Sequence, residues 1–246
     1  MGFNKSTAGN NNLPTFNLRM STVLGGLYVT NEVAEGILAE AKTMVGGDEV
    51  WKKGFDGLGA NSVSKKVRDF VASQKEFHFV DAGVTGKLFY VAVRDVQVKG
   101  EKIPYLVIGL GDDEGKYFIS LSLTGGAAQM LVRKLMGVKA GDVINVNAFL
   151  TYDKSATSEQ FYSNEGARLS IDEQEVKGVS PRDELQPLVQ SAIEKLKDAG
   201  VDDKKTLRAR EQKVTLDYHL GLAKEIVKRV AEKAPASEKA HESEPS

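Results

Sequence analysis

At Phe77 the hydrophobic period of this chain first changes from 3.6 to 2, and that change narrows its possible folds more than any other feature. Ahead of it the apolar residues keep helical spacing. Val33, Ile37, Leu38 and Ala41 follow a capping Asn31 and precede Gly46, and Val63, Val67, Phe70 and Val71 follow Ser62. Beyond Phe77 the spacing is two. KLFYVAVRDVQV (87–98), IPYLVIGL (103–110) and KYFISLSL (116–123) are β-branched and aromatic, joined by polar turns at Gly100 and at GDDEG (111–115). A helical stretch follows, with Ala128, Leu131, Val132 and Leu135 on one side and Gly137 closing it. VINVNAFLTY (143–152) then sets Ile144, Val146, Ala148 and Leu150 against Asn145, Asn147 and Phe149. Residues 160–175 supply a last strand, with Ala167, Leu169 and Ile171 inward, Arg168 and Ser170 outward, and a break expected near Gly166.

Three strands, a helix and two strands is the connectivity of the OB-fold, a five-stranded Greek-key barrel. The expected fold class is therefore α+β: an OB-like five-stranded β-barrel over 76–178, with N-terminal and C-terminal helical additions. Residues 1–20, rich in Asn, Ser, Thr and Gly, read as a flexible N-terminal arm, and 21–75 as a helical extension packed on the barrel, opened by a short apolar stretch, Ser21–Thr30, that suits a strand. Residues 179–233 read as two helices. The first has Ser180 as its cap and Pro181 at its first position; the second carries Leu207, Val214, Tyr218, Leu222, Ile226 and Val230 along one face. The small, polar and acidic residues 234–246 read as a disordered tail.

With 246 residues, 41% of them hydrophobic, the chain can bury a real core in one or two domains. It has no cysteine, which excludes disulfides and thiolate metal sites and points to a reducing compartment. No charged-then-apolar leader opens it and no apolar run reaches membrane-spanning length. The expectation is a soluble cytoplasmic protein (of the host cell, if viral) with no membrane partner. The net charge of −1 hides one local excess: residues 204–233 hold nine basic and four acidic side chains.

Motifs that suggest enzymatic chemistry do not survive inspection. In GLGDDEGK (109–116) three residues, not four, separate Gly111 from Gly115, Tyr117 follows the lysine, and three acids would repel phosphate, so a hairpin turn is expected. Ser62 and Lys65 match a Ser-x-x-Lys spacing, but no Lys-Thr-Gly follows and Ser62 suits a helix cap. His78, His219 and His241 lie in unrelated contexts with no second ligand at metal-binding spacing. A non-enzymatic protein with no cofactor and no metal is expected.

What remains is a barrel with aromatic and basic side chains on its outside. Sequence-tolerant binding of single strands needs ring faces for bases and cations along the backbone. The ring candidates are Tyr105 and Tyr117 on the second and third strands, Phe149 and Tyr152 on the fourth, and Phe161 and Tyr162 beyond the loop 153–166. In OB-folds the binding face is that of strands two and three, bordered by the first-to-second and fourth-to-fifth loops. Those loops bring Lys99, Lys102 and Lys154, and Arg94 and Arg168 add phosphate contacts from the strands.

An OB-type barrel with a C-terminal helix and an acidic tail resembles the single-stranded DNA-binding proteins of bacteriophages. KLFYVAVRDVQV, KYFISLSL, the helix after Thr124, VINVNAFLTYDK and ARLSIDEQEV carry this resemblance of layout. It implies binding of single-stranded DNA in replication or recombination, with replication proteins as further partners and a homo-oligomer formed through the terminal helices. The tail departs from that family: Glu238, Glu242 and Glu244 are diluted by Lys239, and the last residue is not aromatic. Two other readings stand beside it, a structural or scaffolding protein of a virion and a polymerase accessory adaptor.

Overall fold

The computed structural model describes residues 13–98, 100–154 and 161–233. These form an α+β fold of nine strands in one mixed sheet and six helices. The chain opens with a hairpin, β1 (Thr15–Ser21) and β2 (Gly26–Val29), followed by α1 (Glu32–Met44), α2 (Asp48–Trp51), α3 (Val63–Ser73) and the short β3 (Phe79–Val80). Next come β4 (Val84–Val98), β5 (Glu101–Gly111) and β6 (Lys116–Ser122), then α4 (Gly126–Leu135), β7 (Val143–Lys154), β8 (Phe161–Ile171) and β9 (Gln174–Glu175). Two helices end it, α5 (Leu185–Asp198) and α6 (Lys204–Lys233). The caps read from sequence form: the Asn31 side chain accepts from the Ala34 amide at 2.7 Å, and Ser62 Oγ accepts from the Lys65 amide at 3.2 Å.

The strands do not make a five-stranded OB barrel. Six of them close a ring in the order β1, β6, β5, β4, β7, β2 and back to β1. The strand expected to complete the barrel, β8, lies outside it, paired to β7 and to β9 alone. Its place is taken by residues 15–29. β1 runs parallel to β6 from Thr15–Lys116 to Arg19–Ser120, and β2 meets β7 at the Gly26–Phe149 pair. Residues 15–20 are therefore strand rather than arm, and the strand expected within 21–30 forms as β2 but belongs to the ring rather than to an extension packed on it. The cause is a period-two pattern inside a polar stretch: Phe16 and Leu18 turn inward, Leu18 to 1% exposure, while Asn17 and Arg19 face out.

Leu106, Ile108 and Leu110 of β5, Ile119 and Leu121 of β6, and Ile144, Val146 and Ala148 of β7 fill the ring, with α4 packed against them. A second, smaller core lies between α1, α3 and the outer side of β2, where Tyr28 stacks on Phe77 at 5.7 Å. Burial, with help from its 2.9 Å hydrogen bond to Glu35, pushes the Tyr28 hydroxyl pKa up to about 12. Glu165 of β8 reaches the start of α4 and accepts from the Ala127 amide at 3.2 Å, in the space left by side-chain-free Gly125 and Gly126. β8 runs unbroken through Gly166, which pairs with Phe149 and whose missing side chain leaves room for the Phe149 ring. The chain turns instead at Asp172 and Glu173, both at positive φ.

The C-terminal helices form a hairpin whose second member leans on β4 and α4. Ala223, Ile226 and Val230 of α6 enter the main core. Arg229 donates to the carbonyls of Leu135 and Met136 at 2.7 Å, so one cation of the basic helix caps the end of α4. α5 starts later than its sequence suggests. Residues 181–184 form a turn and Glu184 occupies the N-cap, held to α6 by the Tyr218 hydroxyl at 2.7 Å.

Candidate functional site

The register of β4, β5 and β6 sorts their side chains into two sets. Leu88 and Val91 of β4, the even-numbered residues Leu106 to Leu110 of β5 and the odd-numbered Ile119 and Leu121 of β6 point into the ring. The outward set is made by pairs such as Arg94–Tyr105, Tyr90–Gly109 and Gly109–Phe118. One irregularity shapes it. The pairing of β4 with β5 slips between Leu88 and Tyr90, and a bulge there puts two consecutive residues, Phe89 and Tyr90, on the outer side opposite the single Gly109.

Three rings therefore meet around a glycine. Phe89 and Phe118 stand edge to face at 5.6 Å and 86°, and Tyr90 and Phe118 at 5.9 Å and 75°. Gly109 is the floor. A Cβ there would lie 2.8 Å from Tyr90 Cβ and 3.0 Å from Phe89 Cζ, so no larger residue fits without displacing the rings. Cations sit on these rings: Lys116 Nζ is 5.7 Å from the centroid of Phe89. The Arg94 guanidinium is 5.9 Å from that of Tyr90, whose hydroxyl accepts from Arg94 Nη2 at 2.9 Å. Lys87 adds a third cation, and Arg19, facing out from β1 beside Ser120, a fourth. The outward positions of β4 to β6 from Lys87 to Val96 carry no carboxylate. Glu101 and the 112–114 turn mark the two ends.

Of the residues selected from sequence, Arg94 and Tyr105 lie on this face as cross-strand neighbours. Tyr117 does not. It is turned into the ring at 9% exposure and stacks on Phe16 at 5.3 Å and 18°, and burial pushes its hydroxyl pKa up. Lys102, paired with Gln97, alternates to the opposite side from Tyr105. Phe149 and Arg168 do face outward, but on β7 and β8, where the guanidinium lies 5.5 Å from the ring. Tyr152 falls on the other side of β7 and packs against Gly57. Lys99 and the side chains of Lys154, Phe161 and Tyr162 lie outside the described residues. The residues that sequence reasoning passed over are Phe89, Tyr90, Phe118, Lys87, Lys116 and Arg19; the glycine between two bulky apolar strands was the available signal.

The remaining polar constellations have local work. Ser62 Oγ donates to backbone oxygen of the 57–59 loop while it caps α3, and Lys65 pairs with Asp69 at 2.6 Å. Asp112 Oδ1 accepts from the Glu114 and Gly115 amides at 2.9 and 2.8 Å and shapes the β5–β6 turn. Asn145 and Asn147 donate to the 81–85 segment. Among the described residues there is no group of three or more His, Cys, Asp or Glu that could hold a metal ion, and no helix is long and apolar enough to cross a membrane. Comparison with protein-family models, with curated proteins and with solved structures finds no match.

Proposed function

We propose that this protein binds single-stranded nucleic acid, DNA in the first place, across the outer face of β4, β5 and β6, and serves replication or recombination by covering unpaired strands. The observation that supports this is the ring set of Phe89, Tyr90 and Phe118 around Gly109, with Lys116 and Arg94 on the rings and no carboxylate among them. Rings set edge to face cannot all offer parallel faces, so two bases at most lie flat here. At about 1–3 kcal/mol each they provide roughly 2–6 kcal/mol. Phosphate contacts from Lys87, Arg94, Lys116 and Arg19 must supply the rest of the roughly 8 kcal/mol that micromolar affinity requires.

The test is a fluorescence anisotropy titration with labelled oligothymidylate at about 50 and 200 mM salt. Four cations on a single strand give a logarithmic salt slope of about −2.8, a loss of about fiftyfold over that range. Absence of binding below about 100 μM at the lower salt removes the proposal, because non-specific contacts alone normally reach that level.

A further inference from the structure

We infer that the nucleic-acid site is bipartite, with a second stacking station at Phe149 and Arg168 that engages the same strand several nucleotides away. This rests on the reading of the β4–β6 face given above. The two stations share the outside of the sheet but not one neighbourhood. β4 and β7 are antiparallel and pair Thr85 with Asn145. Phe89 lies four residues beyond that pair in one direction and Phe149 four in the other. Eight residues of strand correspond to roughly 26 Å.

The second station is built like the first. Phe149 lies against Gly166, where a Cβ would come within 2.7 Å of its ring, and the exposed Arg168 sits over it at 5.5 Å. Beside it Phe79 covers Gly26, the β2 partner of Phe149, and carries the Arg68 guanidinium at 4.8 Å. Arg68 is committed, through Nε to the Leu24 carbonyl at 2.7 Å and through Nη1 to Asp81 at 3.9 Å, so Arg168, exposed and with the Glu175 carboxylate in its neighbourhood, is the cation this station offers a strand. Guanidinium planes accept bases as ring faces do. Between the stations the outward positions of β7 are Val143, Asn145 and Asn147, with Lys87 alongside; none is acidic. A stacked strand rises about 3.4 Å per nucleotide, so about eight nucleotides at most bridge the gap, within the roughly 4–16 that OB-type sites cover.

Two linked stations make the second contact intramolecular, and affinity then climbs with length far faster than the number of binding registers. The test is an anisotropy series with oligothymidylates of about four, eight and sixteen nucleotides on the wild type, R168A, F149A and F118A. The longest should bind the wild type at least about a hundredfold more tightly than the shortest. R168A and F149A should each lower affinity for the longest about tenfold and leave the shortest unchanged, whereas F118A should weaken every length. R168A, an exposed substitution, decides the matter if F149A does not fold. If R168A binds the longest oligonucleotide as the wild type does while F118A is impaired, the site has one station and this inference falls with the proposed function intact. If the wild type binds no length, both fall.

Discussion

The inner and outer sides of β4, β5 and β6 obey the same alternation and hold opposite contents. Inside, the positions are aliphatic apart from Tyr117, and the central ones, such as Leu106, Ile108 and Ile119, are packed to near-zero exposure. Outside, the same strands carry half-covered rings and cations whose nearest partners are one another. The difference lies in what a one-residue slip does. On the inner side it would expose the core, so the register is fixed. On the outer side a slip is affordable, and the bulge at Phe89 and Tyr90 doubles the ring count opposite one glycine.

Substitutions that separate the two sides test this directly. Leu106→Ala on the inner side should cost about 2–5 kcal/mol in urea denaturation and leave the affinity of the folded fraction for oligothymidylate unchanged. Gly109→Ala should act on both sides at once, costing about 1–3 kcal/mol of stability by forcing Tyr90 and Phe89 apart and lowering binding in the same protein. Phe118→Ala should lose about 1–3 kcal/mol in binding and, through its two edge-to-face contacts, about 1–3 kcal/mol of stability, less than Leu106→Ala.

Acid should loosen the inner side before the outer. His219, in the helix that leans on β4 and α4, is 1% exposed. Its Nδ1 lies 2.7 Å from the Thr215 carbonyl, and its Nε2 has no hydrogen-bond partner among the described residues. Burial holds its pKa below the ordinary 6.5, and the nearby Arg133 charge adds to this. Below pH 6.5 the unfolded chain takes up a proton that the folded chain refuses. Stability therefore falls with pH below that point, at no more than about 1.4 kcal/mol per pH unit from this group, and His219→Phe should flatten that slope. The smallest effect belongs to Tyr117→Phe, which should change stability by less than about 1 kcal/mol and binding not at all, since that ring faces inward.

Much of the architecture was legible because burial writes a period into the sequence. The alternation of Ile144 to Leu150, the helical spacing of Ala128 to Leu135 and the caps at Asn31 and Ser62 each correspond to the element they suggest. Two things were not legible. The pairing of β1 with β6 depends on contacts about a hundred residues apart, and a short run after an Asn-rich segment gives no local sign of it. The ring set depends on the bulge. Strict alternation puts Phe89 and Tyr90 on opposite sides, and in β6 it leaves open which of Tyr117 and Phe118 faces out until the core is known.

That long-range pairing also sets an order of assembly. Thr15 to Arg19 are synthesised early, yet the strand they dock against, β6, leaves the ribosome about a hundred residues later. Until then β1 has only β2 to pair with, in a hairpin whose β2 side β3, α1 and α3 can cover, while the other edge of β1 stays open. The ring is shut by its oldest piece, a non-local contact of the kind that makes folding slow and leaves waiting strands vulnerable to association with other chains.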